Sequence, residues 1–253
     1  MQALLVSAED VLSMRTRHRE EMNCQIVHDS IHRRPGWTVT YRLEANHKVA
    51  GFGSVAVAGP WKDRPTLLEF YVLPEHRGQA FALFESLLAA SNAQHFEIQS
   101  NEVLSFIMAH TYGHDIVSEK IVFRDAETTA HPSKNATLIR NTSEAEALQC
   151  LEQRSGSSDW TLEVDGAAIG KGGLAFHYNR PYADVYMEID EKHRQRGFGA
   201  YLVQELKRAC YEMGAVPGAR CSPQNVASFR TLQRAGFVPF AHILIGSFQS
   251  RPD

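Results

Sequence analysis

The sequence predicts an α+β protein built from two related domains, and three observations carry that expectation. Alternating strand patterns and helix-spaced apolar residues are interleaved along the whole chain. Two turn signals, Asn46-His47 and Asp165-Gly166, each separate a pair of strand-like runs and mark hairpins. Landmarks then recur at a near-constant distance: Arg77 and Arg194 are 117 residues apart, Gly51 and Gly170 are 119 apart. That spacing supports an internal duplication, with about 125 residues in each copy.

Composition narrows the class. The chain has 253 residues, 43% hydrophobic and 22% charged, as soluble globular proteins do. No apolar run approaches the ~18 residues of a membrane span. Met1 to Asp10 has neither a basic start nor a long apolar core, so no membrane partner and no secretory leader are expected. A net charge of -3 without a basic block places nucleic acid outside the expected partners. Cys24, Cys150, Cys210 and Cys221 are scattered, and read as reduced thiols of a cytoplasmic protein. His28 and His32 fall at i and i+4, but no third ligand accompanies them, so no metal is expected.

In the first half, Leu4 to Val6 suggests a strand, and Ser7 caps a charge-rich helical region reaching about Asp29. Arg33 to Gly36 breaks it. Trp37 to Glu44 and Val49 to Ala58 read as strands, Gly59 to Pro65 as a loop. From Leu67 a strand leads through Pro74 to Gly78 into another helix; His95 to Ser100 is a strand, and Asn101 opens a helix ending near Gly113. The polar stretch from Thr128 to Asn135 reads as a linker. In the second half Leu138-Ile139 is a short strand, Ser143 caps a helix over Glu144 to Arg154, and Trp160 to Val164 pairs with Ala168 to Phe176.

The most informative stretch runs from Ala183 to Met213. Val185, Met187 and Ile189 alternate with polar residues as in a strand, while Phe198, Leu202, Leu206, Cys210 and Met213 recur at helical spacing. Between them lies a basic loop, Lys192 to Arg196, followed by Gly197 and Gly199. The first amides of a helix have no intrahelical partner and sit at the positive end of its dipole. Two glycines remove the side chains that would hold an anion away, so a phosphate-bearing ligand fits this turn. A tight turn chosen for packing fits the glycine pair alone equally well. The loop is neither a Walker loop, since Ala200 and Tyr201 follow Gly199, nor a dinucleotide fingerprint, since position 202 is Leu202.

Arg194-Gln195-Arg196-Gly197-Phe198-Gly199 resembles the Arg/Gln-x-x-Gly-x-Gly/Ala signature of the GNAT superfamily of N-acetyltransferases. A strand over Val216 to Cys221, then Asn225 and a helix ending at Gly236-Phe237, matches that family's second signature in order and spacing. Phe70 to Gly78 resembles the first signature again, with Ala80 and Ala82 where glycines are usual. The resemblance implies two tandem GNAT-like domains, each a mixed, mostly antiparallel sheet flanked by helices. They would span 1–127, a degenerate copy, and 137–253, joined by a linker over 128–136. It leaves the second domain only about 20 residues of helix before its first hairpin, where the family usually has two helices.

The resemblance further implies acetyl-coenzyme A as co-substrate and direct attack by an amine. The amine would belong to a small molecule or to a peptide or protein, and a homodimer is compatible with this. Carried over by position, Met187, Glu188 and Ile189 face the pantetheine arm. Amides from Arg194, Gln195, Arg196, Gly197, Phe198, Gly199 and Ala200 hold the pyrophosphate, and Asn225 with Ser228 lies beside the arm. His193 is a further phosphate partner or a solvated turn residue. In many members a Tyr seven residues after the Asn protonates the departing sulfur; here that position is Leu232, leaving Ser228 or Cys221, or no acid. Glu188 is the candidate base if burial raises its pKa, with Asp184, Tyr186 and Glu163 behind it and ordered water as the alternative. A non-catalytic coenzyme A-binding or sensor protein is the competing expectation.

Overall fold

The computed structural model describes residues 1–23, 25, 28–132 and 135–248, so Cys24 lies outside the described residues. It divides into two compact units that are not contiguous in sequence: 1–24, 31–119 and 241–253 form the first, 25–30 and 120–240 the second. The sequence places the boundary at 128–136. The difference has a covalent origin, because β6 (Gly113–Asp125) and β12 (Phe237–Phe248) each contribute residues to both units. The polar stretch around 130 is also tied down: Thr129 Oγ1 and the His131 amide donate to Gln204 Oε1 at 2.9 and 2.7 Å.

The first unit contains β1 (Gln2–Val6), α1 (Leu12–Met22), β2 (Thr38–Ala45), β3 (Lys48–Ala56), β4 (Thr66–Val72), α3 (Ala80–Ser91), β5 (His95–Gln99) and α4 (Val103–Tyr112), numbered to leave α2 for the short helix His28–His32. Its sheet runs β1-β2-β3-β4-β5-β12-β6, with β1–β2, β2–β3, β3–β4 and β5–β12 antiparallel and β4 parallel to β5. Asn46 and His47 both have positive φ, 51° and 63°, as the tight hairpin between β2 and β3 requires. Phe70, Phe84, Phe96 and Leu83 are fully buried between the sheet and α3 and α4. A charged cluster is buried too. Glu69 forms ion pairs with Arg19 at 2.5 Å and with His32 at 2.5 Å.

The second unit contains β7 (Ala136–Arg140), α5 (Glu144–Gln153), β8 (Ser157–Val164), β9 (Ala167–Ala175), β10 (Tyr182–Ile189), α6 (Phe198–Glu212), β11 (Val216–Cys221) and α7 (Val226–Arg234). Its sheet order is β12-β6-β11-β10-β9-β8-β7, with β10 and β11 parallel. Ser143 and Glu146 form the reciprocal box that starts α5. Asp165 and Gly166 turn the β8–β9 hairpin at φ 51° and 78°. Between β7 and that hairpin stands one helix, α5. The segment 25–30, borrowed from early in the chain, joins this unit, where the Asp29 amide donates to Asn179 Oδ1 at 3.0 Å.

The duplication is visible as matched bonds. The Leu73 amide donates to Ala50 O at 2.8 Å in the first unit, and the Asp190 amide to Ile169 O at 2.9 Å in the second. Gly51 lies opposite Val72 and Gly170 opposite Ile189. A Cβ at Gly51 would sit 2.1 Å from Tyr71 O, and one at Gly170 2.8 Å from Glu188 O, so both landmarks mark the same close approach of neighbouring strands.

The copies differ where β4 parts from β5 and β10 parts from β11. In the first unit α4 closes on β4: Glu102, Ser105, Met108 and Ala109 are buried, and Ser105 Oγ donates to Phe70 O at 3.4 Å. In the second, only Leu232 of α7 is buried, and a cleft remains open beside β10.

Candidate active site

The cleft of the second unit is about 830 Å³ and lies between the end of β10, the start of α6 and one face of α7. That is within the size range of small-molecule sites. Its walls follow from local structure. β10 pairs with β9 from Asp184 to Ile189, but with β11 only from Tyr182 to Asp184. Beyond Asp184 the strands splay, since β11 runs on to Cys221 paired with β6 instead. The edge of β10 past Asp184 therefore presents backbone groups without a strand partner.

At the base of the cleft the chain turns sharply into α6. Gln195 has φ 60° and Gly197 φ 88°, a left-handed conformation that glycine adopts without cost. The Tyr201 amide is the first to bond within the helix, to Gly197 O at 3.2 Å. The amides of Gly199 and Ala200 precede it, and Gly197 at the N-cap has no side chain to cap them. A Cβ on Gly199 would lie 3.1 Å from Thr231 Cγ2 and 3.6 Å from Met187 Cε, narrowing the cleft where α6 faces α7. The helix-start amides of Gly199 and Ala200, a glycine cradle and an open strand edge fit a pyrophosphate with an extended arm.

Of the residues expected from the sequence, Met187, Glu188, Ile189, Arg194, Gln195, Gly197, Phe198, Gly199, Ala200, Asn225 and Ser228 are brought together around this cleft, as is His193. Arg196 does not line it. Its guanidinium stands 5.4 Å over the Phe198 ring and 3.4 Å from His193 Nδ1. Arg194 Nε donates to Ile189 O at 2.9 Å, so part of that guanidinium braces the loop. Asn225 caps α7, accepting from the Ser228 amide at 3.0 Å.

The acid and base candidates are also located. Glu188 is 61% exposed, not buried, and pairs with Lys171 at 3.2 Å. Asp184 is buried beside His177 at 3.3 Å and Arg220 at 3.6 Å. Tyr186 donates to Asp159, and Glu163 is on β8, outside the cleft. Leu232 packs in the core with Phe198 and Leu202. Ser228 lines the cleft in hydrogen-bond contact with Cys221, whose thiol is pushed up by burial and partly drawn back by that contact. Among the described residues no group of His, Cys, Asp and Glu could hold a metal ion.

Ala227, Arg230, Thr231 and Arg234 also line the cleft. The sequence signal for them is positional: they fall at i, i+3, i+4 and i+7, one face of α7.

Comparison with known proteins agrees with this geometry. Residues 123–237 match the Acetyltransferase (GNAT) family. A GNAT-family acetyltransferase from Colwellia psychrerythraea superposes over 98% of this chain and 100% of its own, with TM-score 0.70 and 14% identity. A tandem GNAT protein from the clavulanic acid biosynthesis pathway covers 100% of this chain and 99% of its own, at TM-score 0.62 and 14% identity. A GCN5-related N-acetyltransferase from Sphaerobacter thermophilus covers 99% and 96%, at 0.58 and 13%. No curated protein matches by sequence. Among the described residues no helix is long and apolar enough to cross a membrane. The chain thus has the tandem GNAT fold, and residues 123–237, within its second unit, match the Acetyltransferase (GNAT) family.

Proposed function

We propose that the second unit binds acetyl-coenzyme A and transfers its acetyl group to an amine acceptor by direct attack. The observation that carries this reading is the left-handed glycine turn at Gly197 leading into the helix-start amides of Gly199 and Ala200, which line an open cleft beside the free edge of β10. Bound there, acetyl-coenzyme A supplies an activated thioester, so the protein has to provide only proximity, proton removal and help for the leaving thiolate. The loop amides hold the pyrophosphate, and the backbone of Met187 to Ile189 aligns the arm. The Ser228 hydroxyl, on the cleft wall, is the polar hydrogen available to the departing sulfur. Glu188 takes the amine proton through ordered water, its exposure giving it contact with solvent.

A second reading, a coenzyme A-binding protein without turnover, is favoured by Leu232, buried where many members of the family carry their acid. Incubation with acetyl-coenzyme A and a panel of amines, reading free thiol release, separates the two. Thiol release that depends on the amine supports transfer. Tight binding of coenzyme A with no release for any amine supports the second reading, and no binding at all defeats both.

A further inference from the structure

The cleft holds more positive charge than a pyrophosphate loop needs. Among the described residues lining it, the single acid is Glu188, already paired with Lys171 at 3.2 Å, whereas Arg194, Arg230 and Arg234 are cationic. These cations are not equivalent. Arg194 is braced against Ile189 O at 2.9 Å. Arg230 and Arg234 are exposed on α7, and neither guanidinium has a hydrogen-bond or ion-pair partner among the described residues. They stand four residues apart, about 6 Å along the helix axis. The small side chains Ala227 and Thr231 share their face of α7, and the Thr231 hydroxyl is turned back onto Ala227 O at 2.8 Å. A phosphate could therefore approach between the two guanidiniums without meeting bulk, and could accept from both.

Taking the cleft as a coenzyme A site, as argued above, we propose that Arg230 and Arg234 bind the 3′-phosphate on the ribose of coenzyme A and make the protein select the coenzyme over its 3′-dephospho form. The pyrophosphate is not the natural partner of this pair, because the amides of Gly199 and Ala200 at the start of α6 are assigned to it above. A phosphomonoester carries close to two charges near neutral pH, and unpaired guanidiniums answer it in the geometry that Arg provides and Lys does not. In the first unit α4 carries Ile107 and Thr111 at the places of Arg230 and Arg234 when Ser105 is set on Ser228.

The test is calorimetric titration of the full chain with coenzyme A and with 3′-dephospho-coenzyme A, for wild type and for R230A/R234A. The expected result is that wild type binds coenzyme A at least about tenfold more tightly than the dephospho form. The double variant should lose that preference while binding the dephospho form within about twofold of wild type. Raising salt should shrink the preference of wild type, a measurement that needs no variant. R230K/R234K, which keeps the charge but not the fork, should retain part of it. Equal binding of both ligands by wild type overturns the inference and leaves the coenzyme A reading standing, as does a variant that loses both ligands alike while its unfolding temperature is unchanged. Failure of wild type to bind either ligand removes the underlying reading as well.

Discussion

The side chain of Arg194 is bonded to the backbone of Ile189, its Nε donating to the carbonyl oxygen at 2.9 Å. The same bond recurs 117 residues earlier, where Arg77 Nε donates to Val72 O at 3.4 Å. A signature arginine thus braces the strand-to-helix turn in both units, and in the second unit that turn faces an open cleft. Arg194→Ala should weaken coenzyme A binding about tenfold, by loosening the loop that presents the amides, with about 1 kcal/mol lost in stability. Arg77→Ala should leave binding unchanged. Titration calorimetry on both variants checks this, and equal effects would refute the division of labour.

Gly197 at φ 88° and Gly199, 3.1 Å from Thr231 at its would-be Cβ, make separate demands. Gly197→Val forces a β-branched residue into left-handed backbone at a cost of roughly 1–2 kcal/mol. Gly199→Val fills the cradle. Both should abolish measurable coenzyme A binding, the first with a lower unfolding temperature and the second with nearly the wild-type one.

Leu232 tests whether a lost acid can be restored. It is only 4% exposed, among Phe198 and Leu202. Leu232→Ala should cost about 2–5 kcal/mol in urea unfolding. Leu232→Tyr should overpack the core by about 1–3 kcal/mol and should not raise the rate of thiol release. A faster variant would show that the side chain can reach the cleft after all.

Lys207 of α6 is 5% exposed, with Nζ 2.5 Å from Asp125, 2.7 Å from Glu127 O and 2.6 Å from Ala235 O. It joins the end of β6 to the end of α7. Lys207→Met leaves Asp125 buried with Tyr211 as its remaining hydrogen-bond donor, and should cost about 3–5 kcal/mol. A loss below about 1 kcal/mol in denaturant unfolding would mean that water replaces the ammonium.

Cys210 supplies a pH test. Burial pushes its thiol up to about 12, far above an exposed thiol. A folded-state pKa above the unfolded value means that the folded form holds its proton longer. The resulting stability is complete below about pH 9 and is lost as pH rises from there toward 12. Unfolding free energy should therefore fall across that window, and Cys210→Ala should flatten the fall. At pH 8 a thiol reagent should label the half-buried Cys150 and spare Cys210.

Much of this was legible in the residues because it depends on near neighbours in the chain. The turn at Asp165-Gly166, the Ser143 cap and the strand–loop–helix from Tyr182 to Glu212 are short-range choices of dihedral angle and periodicity, and the structure shows each. The loop residues from Arg194 to Ala200 likewise sit where local geometry must put them. What only tertiary structure decided involves residues far apart. The long strands β6 and β12 pass between units because their partners lie in other parts of the chain, a pairing that alternation cannot reveal. The exposure of Glu188 and the turning of Arg196 away from the cleft depend on which groups stand opposite, Lys171 in one case and Phe198 with His193 in the other. Periodicity marks one face of α7 as carrying Arg230 and Arg234, but only the packing of that helix beside a splayed strand turns the face into a wall of the cleft. Closure of the first copy follows the same logic: whether a helix seats on a strand is settled by burial across the gap, which no local signal records.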